Sequence, residues 1–177
     1  DYAVSQLEDN MELVVKDDDH WYVSSPLSNR LISGLSNIVI RRSGDGTNKP
    51  IIEANGSVPV FAFMNSEDIV LYGLDIRGSP TPECGVFGSE GGVNRFTLVN
   101  IDGSQGYNSF YEKNAGWSND NFLMYNSSIR DVHRYAYSPW GDNNVVLIGN
   151  FFQSSDINPP TGEGLIRGGG IGLIASW

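Results

Sequence analysis

Ile69-Val-Leu-Tyr-Gly-Leu-Asp-Ile76 returns four times further along the chain, as Phe96-Thr-Leu-Val-Asn-Ile-Asp-Gly103, Phe122-Leu-Met-Tyr-Asn-Ser-Ser-Ile129, Val145-Val-Leu-Ile-Gly-Asn-Phe-Phe152 and Ile171-Gly-Leu-Ile-Ala175. The first residues, 69, 96, 122, 145 and 171, stand 27, 26, 23 and 26 apart, and an earlier copy, Ile38-Val-Ile-Arg-Arg42, lies 31 before Ile69. Positions one and three of each copy are apolar: Ile69 and Leu71, Phe96 and Leu98, Phe122 and Met124, Val145 and Leu147, Ile171 and Leu173. A period of two marks a strand with one face inward. Position five is small or Asn (Gly73, Asn100, Asn126, Gly149, Ala175). Gly and Asn tolerate left-handed backbone, so a corner belongs there. An apolar residue returns at position eight in Ile76, Ile129 and Phe152, which starts a second short strand.

A further series precedes the copies: Val60-Phe-Ala-Phe63, Gly85-Val-Phe87, Ser109-Phe-Tyr111, Tyr135-Ala-Tyr137 and Gly164-Leu-Ile166. One turn of the chain therefore carries two or three short strands, and successive turns stack in parallel, each burying its inner face against the next. A β-sandwich instead needs antiparallel hairpins spaced by about 8–12 residues and predicts no fixed register over five copies. The expected fold is all-β, a parallel solenoid of about five to six turns of 23–31 residues.

Ser5-Gln-Leu-Glu-Asp-Asn-Met-Glu-Leu-Val-Val15 reads as a short polar helix or turn entering a first strand, and Asn29-Arg-Leu-Ile-Ser-Gly-Leu-Ser-Asn-Ile-Val-Ile40 enters the repeat. Residues 1–36 are read as an N-terminal cap with the first strands and 37–177 as the repeats. This order resembles the right-handed parallel β-helix proteins of the pectate-lyase-like superfamily, over nearly the whole chain, as a pattern rather than an exact motif. The resemblance implies a carbohydrate-active protein: a polysaccharide lyase in preference to a glycoside hydrolase. The last copy stops mid-turn at Trp177. An open solenoid end exposes strand edges and apolar side chains, so another chain or a further segment is expected to cover it.

The chain has 177 residues, 40% apolar and 18% charged, with 21 Gly and a net charge of −10. That composition suits a packed domain of short strands and tight turns rather than a disordered chain. The negative surface argues against nucleic acid and anionic membrane as partners. It also repels anionic polysaccharide unless a basic patch or Ca²⁺ intervenes. No apolar run reaches the roughly 20 residues that span a bilayer. Cys84 is alone, so no internal disulfide forms; it reads as a small buried residue. The start at Asp1 without Met fits removal of a secretory signal, and Asn55-Gly-Ser57 and Asn126-Ser-Ser128 match the glycosylation triplet. A secreted or cell-surface location is expected.

GxGxxG, P-loop, HExxH and Cys/His zinc patterns are absent, as are the aspartate set of β-helix polygalacturonases and the signature of alginate epimerases. Ser43-Gly-Asp-Gly46 reads as a turn, and Asp17-Asp-Asp19 as a solvated acidic loop with Ca²⁺ as the alternative. Stacking turns equal offsets into columns spaced by about 5 Å. Arg77 and Arg130 share one column with Ser104 between them, while Asp75, Asp102 and Ser128 share another. Two arginines two turns apart fit a carboxylated sugar chain running along the solenoid; the alternative is mutual neutralisation on a wet face.

Tyr107 to Trp140 is rich in aromatic and charged residues, among them Tyr111, Glu112, Lys113, Arg130, His133, Arg134, Tyr135, Tyr137 and Trp140. Aromatic faces stack on sugar rings and the charges between them orient hydroxyls or carboxylates. Aligning Ala136 with Phe110 and Val86 puts Ala136 inward and both Tyr135 and Tyr137 outward, by period two. β-Elimination of a uronic acid needs neutralisation of the carboxylate, a base for the C5 proton and an acid for the leaving oxygen. Arg134 or Arg130 suits the first, with Ca²⁺ as a possible aid. His133, Lys113 or an arginine suits the second, and Tyr135 or Tyr137 the third. Hydrolysis needs two carboxyl groups, for which Glu112 and Glu163 are candidates. Arg77, Arg130, Tyr111, Tyr137 and Trp140 are the substrate-binding candidates.

The competing reading is a non-catalytic solenoid, an adhesin, fibre or phage-tail module that binds glycans or assembles with another chain. An ice-binding face would need a Thr array, and only four Thr occur.

Overall fold

The computed structural model describes residues 2–23, 31–55, 60–79, 85–106, 108–112, 120–132 and 144–154, and the backbone alone at 31, 85–91, 108–112 and 154. After a single helical turn, α1 (Tyr2–Ser5), the described residues are all strand and corner. The first layer holds β1 (Glu12–Val15), β2 (His20–Val23) and β3 (Leu31–Ser33), and the second β4 (Ser36–Arg42), β5 (Ile51–Ala54) and the start of β6 (Phe61–Tyr72). The rest of β6, β7 (Asp75–Arg77) and the start of β8 (Gly85–Val99) form the third. The fourth contains the rest of β8, β9 (Asp102–Ser104) and β10 (Asn108–Glu112). Then come β11 (Asp120–Tyr125) with β12 (Ser128–Val132), and β13 (Val146–Ile148) with β14 (Phe151–Ser154).

Every pairing is parallel and joins one layer to the next. The first sheet runs β1-β4-β6-β8-β11-β13 and the second β2-β5-β7-β9-β12-β14, while β3 and β10 pair with β6 and β8 on a third face. The fold is a parallel β-solenoid. Among the described residues all three strands are present in four layers, fewer than the five to six full turns expected, because the last two layers show only the first two strands.

The inner columns are the ones the repeat predicts. Ile38, Ile69, Phe96 and Phe122 are stacked in register, and so are Ile40, Leu71, Leu98, Met124 and Leu147; none is more than 7% exposed. Phe96 sits mid-column, its ring centroid 5.0 Å from Phe63 and 5.9 Å from Phe122. In the second sheet Trp21, Ile52, Ile76, Ile129 and Phe152 occupy the inward column, with Gly103 between Ile76 and Ile129.

The corners explain the small residue at position five. Gly73, Asn100, Asn126 and Gly149 all have positive φ, from 48° to 69°, and the amides of Gly73, Asn100 and Asn126 each bond to a carbonyl of the next layer. At Gly73 a side chain is doubly excluded, because an added Cβ would stand 2.7 Å from Cδ of Arg42. A second left-handed column, unmarked by any apolar repeat, opens each first-sheet strand: Asn10, Asn37, Asp68, Arg95, Asn121 and Asn144, with φ from 53° to 65°. Asn and Asp tolerate this conformation because their short polar side chains bond locally. Here they bond along the column, with Asn37 Nδ2 donating to Asn10 at 2.9 Å and Asn144 Nδ2 to Asn121 at 3.1 Å. Arg95 breaks the pattern, and its partner is Asp68 in the adjacent layer, at 2.6 Å.

Two expectations need correction. Phe110 pairs with Phe87, and Phe87 with Phe61, so the alignment of Phe110 with Val86 was one residue out. A slip of one exchanges inside for outside, so the outward placement of Tyr135 and Tyr137 does not follow from that alignment; both lie outside the described residues. Asp17 is not a solvated loop residue, being 2% exposed. Arg42 Nε meets both of its carboxylate oxygens, at 3.0 and 3.1 Å, and the amides of Gly44 and Gly46 donate to it at 3.2 and 3.0 Å. Ser43-Gly-Asp-Gly46 is thus a turn folded over a buried carboxylate. Arg42 is the main reason that carboxyl is held well below its ordinary range. Its oxygens are occupied by protein donors, which does not suit a Ca²⁺ site.

Candidate functional site

The outward positions of the second sheet make a charged surface. In β7 these are Asp75 and Arg77, in β9 Asp102 and Ser104, and in β12 Ser128 and Arg130. The register places Asp75 beside Asp102 beside Ser128, and Arg77 beside Ser104 beside Arg130. Both columns are those obtained from the sequence offsets. With Gln105, which follows β9, and Asp131, in the irregular stretch of β12 between Ile129 and Val132, both at positive φ, they line an open groove of about 440 Å³.

The two arginines are not equivalent. Arg77 Nη2 donates to Asp75 at 2.8 Å, and Nη1 lies 3.9 Å from Glu53. The Asp75 bond is the first cause of its raised pKa. Glu53 also meets Nε2 of His20 at 2.9 Å, and Tyr22 stacks on that imidazole with centroids 4.3 Å apart. Lys49 Nζ holds Asp102 at 2.7 Å. Arg130, by contrast, is exposed, and among the described residues it has no carboxylate partner. Its Nε donates to Ser128 Oγ at 2.7 Å, and its guanidinium carbon lies 5.0 Å from the centre of the Phe151 ring, itself 52% exposed. Serine and ring hold the guanidinium without cancelling its charge. Among the described residues, mutual neutralisation therefore describes the Arg77 end of the groove and not the Arg130 end.

Of the residues singled out in the sequence, Arg77 and Arg130 are brought together in this groove. Tyr111 and Glu112 lie in β10, paired through the backbone with Gly88 and Ser89 on the third face. Lys113, His133, Arg134, Tyr135, Tyr137, Trp140 and Glu163 lie outside the described residues, as does the terminal copy Ile171 to Trp177. Sequence reasoning missed His20, Tyr22, Lys49, Glu53 and Phe151. Phe151 was within reach, since it occupies position seven of its copy, the offset of Asp75. The others sit in layers where no second-strand repeat was visible.

Among the described residues no group of three or more His, Cys, Asp or Glu side chains could hold a metal ion, and no helix is long and apolar enough to cross a membrane. The geometry defines a parallel β-solenoid with a polar groove crossing its layers. Comparison with known proteins found no matching family model, no matching curated protein and no matching solved structure.

Proposed function

We propose that this chain is an extracellular carbohydrate-active β-helix protein, of the pectate-lyase-like kind, that takes an acidic polysaccharide along the groove of the second sheet. The observation that supports this is Arg130, a guanidinium placed on Phe151 and Ser128 with no acidic partner among the described residues. A planar cation beside an exposed aromatic ring suits a uronate: the guanidinium takes the carboxylate by paired hydrogen bonds and the ring takes the sugar face. It also supplies the local positive charge that a chain of net charge −10 needs to hold an anionic polymer.

The reaction that best fits is β-elimination. Pairing the uronate carboxylate with Arg130 makes the C5 proton more acidic. A base then removes it as the C4–O bond breaks, and an acid protonates the departing oxygen, leaving a C4–C5 double bond. His133, Arg134 and Tyr135, which directly follow β12, are the candidates for those transfers. The competing reading, a glycan-binding solenoid without catalysis, is favoured by one observation: the groove's Arg77 and Asp102 are already paired.

The test is a panel of neutral and uronate-containing polysaccharides, with and without Ca²⁺, followed by reducing-end release and ultraviolet absorbance of unsaturated uronate. Unsaturated product that falls at least tenfold in Arg130→Ala supports the lyase. Binding that weakens in Arg130→Ala without any product leaves the binder. Reducing ends without unsaturation point to hydrolysis and to Glu112 and Glu163. Binding that Arg130→Ala does not weaken refutes the groove.

A further inference from the structure

The outward side of the first sheet differs in kind from the groove. Two columns of side chains cross its layers. One runs Val39, Val70, Thr97, Leu123, Val146, and the other, from the third layer on, runs Tyr72, Val99, Tyr125, Ile148. None of these nine is charged, on a protein with 32 charged residues counted as 11 Lys and Arg plus 21 Asp and Glu. The only charges in the two columns lie at the N-terminal end, where Arg41 and Glu12 pair with each other. Tyr72 and Tyr125 are 40% and 48% exposed.

We propose that this face binds the flat side of a neutral, β-linked polysaccharide laid along the solenoid axis, with Tyr72 and Tyr125 as its two stacking rings. Three features select that occupant. Beyond the Arg41–Glu12 pair the two columns carry no charge, so they match a neutral ligand and not the acidic chain proposed for the groove. Its area is too small for a second copy. Five strands at about 4.8 Å by two outward residues come to about 300 Å², whereas a stable protein–protein interface takes about 800 Å² from each partner. An apolar patch of that size is within the usual range for the largest patch of a monomer, which often has a function. Finally, Tyr72 and Tyr125 share one column with only Val99 between them. Two layers separate them by about 10 Å, close to the length of two sugars in an extended β-linked chain. Sugars present alternate faces along such a chain, so rings at every second unit meet the same face. The C–H face of a pyranose packs on an aromatic ring, and a tyrosine adds a polar hydroxyl at the rim.

The experiment is depletion of the full chain from solution by microcrystalline cellulose and by chitin, repeated with soluble polyuronate as competitor. The wild-type chain is expected to bind at least one neutral solid. Tyr72→Ala and Tyr125→Ala are each expected to weaken binding about tenfold, while Tyr72→Phe/Tyr125→Phe keeps most of it and Arg130→Ala leaves it unchanged. Circular dichroism and melting of each variant establish that it is folded. Val99→Lys, which puts a charge between the rings, is the second variant and is expected to abolish adsorption. No adsorption to any neutral solid, or adsorption undiminished in a Tyr72→Ala/Tyr125→Ala double variant, overturns the proposal. So does a concentration-dependent dimer that disappears in that variant, because the face would then be an interface between copies. Loss of polyuronate binding in Arg130→Ala is read separately and bears only on the groove.

Discussion

Replacing Phe96 with alanine removes a ring packed between Phe63 of the third face and Phe122 of its own column. Phe96 is fully buried, with Phe63, at the start of β6 on the third face, at 5.0 Å and Phe122, in the next layer of its own column, at 5.9 Å. Truncating a buried Phe to Ala costs about 3–5 kcal/mol through lost transfer energy and the cavity left behind. The two aromatic contacts, each about 0.5–1.5 kcal/mol beyond burial, put this site toward the upper half, at about 4 kcal/mol. In a solenoid each layer touches only its neighbours, so the defect weakens the joint on both sides of β8 at once. Urea unfolding followed by far-ultraviolet circular dichroism measures it. With a slope of about 2 kcal/mol/M, the midpoint should fall by about 2 M. Phe96→Leu, which keeps most of the volume, should lose less than about 1.5 kcal/mol. If Phe96→Ala loses under about 1 kcal/mol, Phe96 does not join the layers and the close-packed inner column is wrong. A biphasic transition in the variant would show the two halves uncoupling, the form of failure that nearest-neighbour stacking predicts.

Asn121→Ala places an alanine at φ 61° and deletes the bonds to Asn94 and from Asn144; a loss of about 1–2 kcal/mol is expected, against a smaller loss for Asn121→Gly, and equal losses for the two would contradict the left-handed column. Asp17 provides a pH signature. Arg42 first, then the amides of Gly44 and Gly46, lower its pKa, and Arg41 and Arg95 lower those of Glu12 and Asp68 in the same way. A depressed folded pKa means the stabilisation is complete above the unfolded value of about 4 and is lost as the pH falls through the folded one. Melting temperature should therefore hold near neutral pH and drop below about pH 4, less steeply in Asp17→Asn; an acid limb unchanged by that substitution would refute the role given to Asp17. Gly73→Ala should destabilise the chain by its left-handed backbone and its collision with Arg42, and Arg42→Ala should relieve part of the added loss in a double-mutant cycle, since only the collision involves that side chain.

The amino-acid sequence by itself determined the repeat, its inner face and its corners. Ile69 and Leu71, Phe96 and Leu98, Phe122 and Met124 declare a strand because alternation is a local property, and Gly73, Asn100, Asn126 and Gly149 declare a corner because left-handed backbone is a local preference. The columns Arg77–Ser104–Arg130 and Asp75–Asp102–Ser128 followed from equal offsets. Where the offsets vary, counting failed. The third face slipped by one residue at Phe110, because the corner before each of its strands differs in length. The second-sheet strands β2 and β5 were missed, because His20-Trp-Tyr-Val23 and Ile51-Ile-Glu-Ala54 carry no common motif. Only the tertiary structure decided which charges remain open. Asp17 is buried because a turn from the following layer closes over it. Arg77 is neutralised by Glu53 from the layer before as well as by Asp75, whereas Arg130 lies against the Phe151 ring of the next layer and has no carboxylate partner among the described residues. Those outcomes depend on which side chain lies 5 Å away across a layer, and sequence distance does not encode that separation once the connections between layers vary.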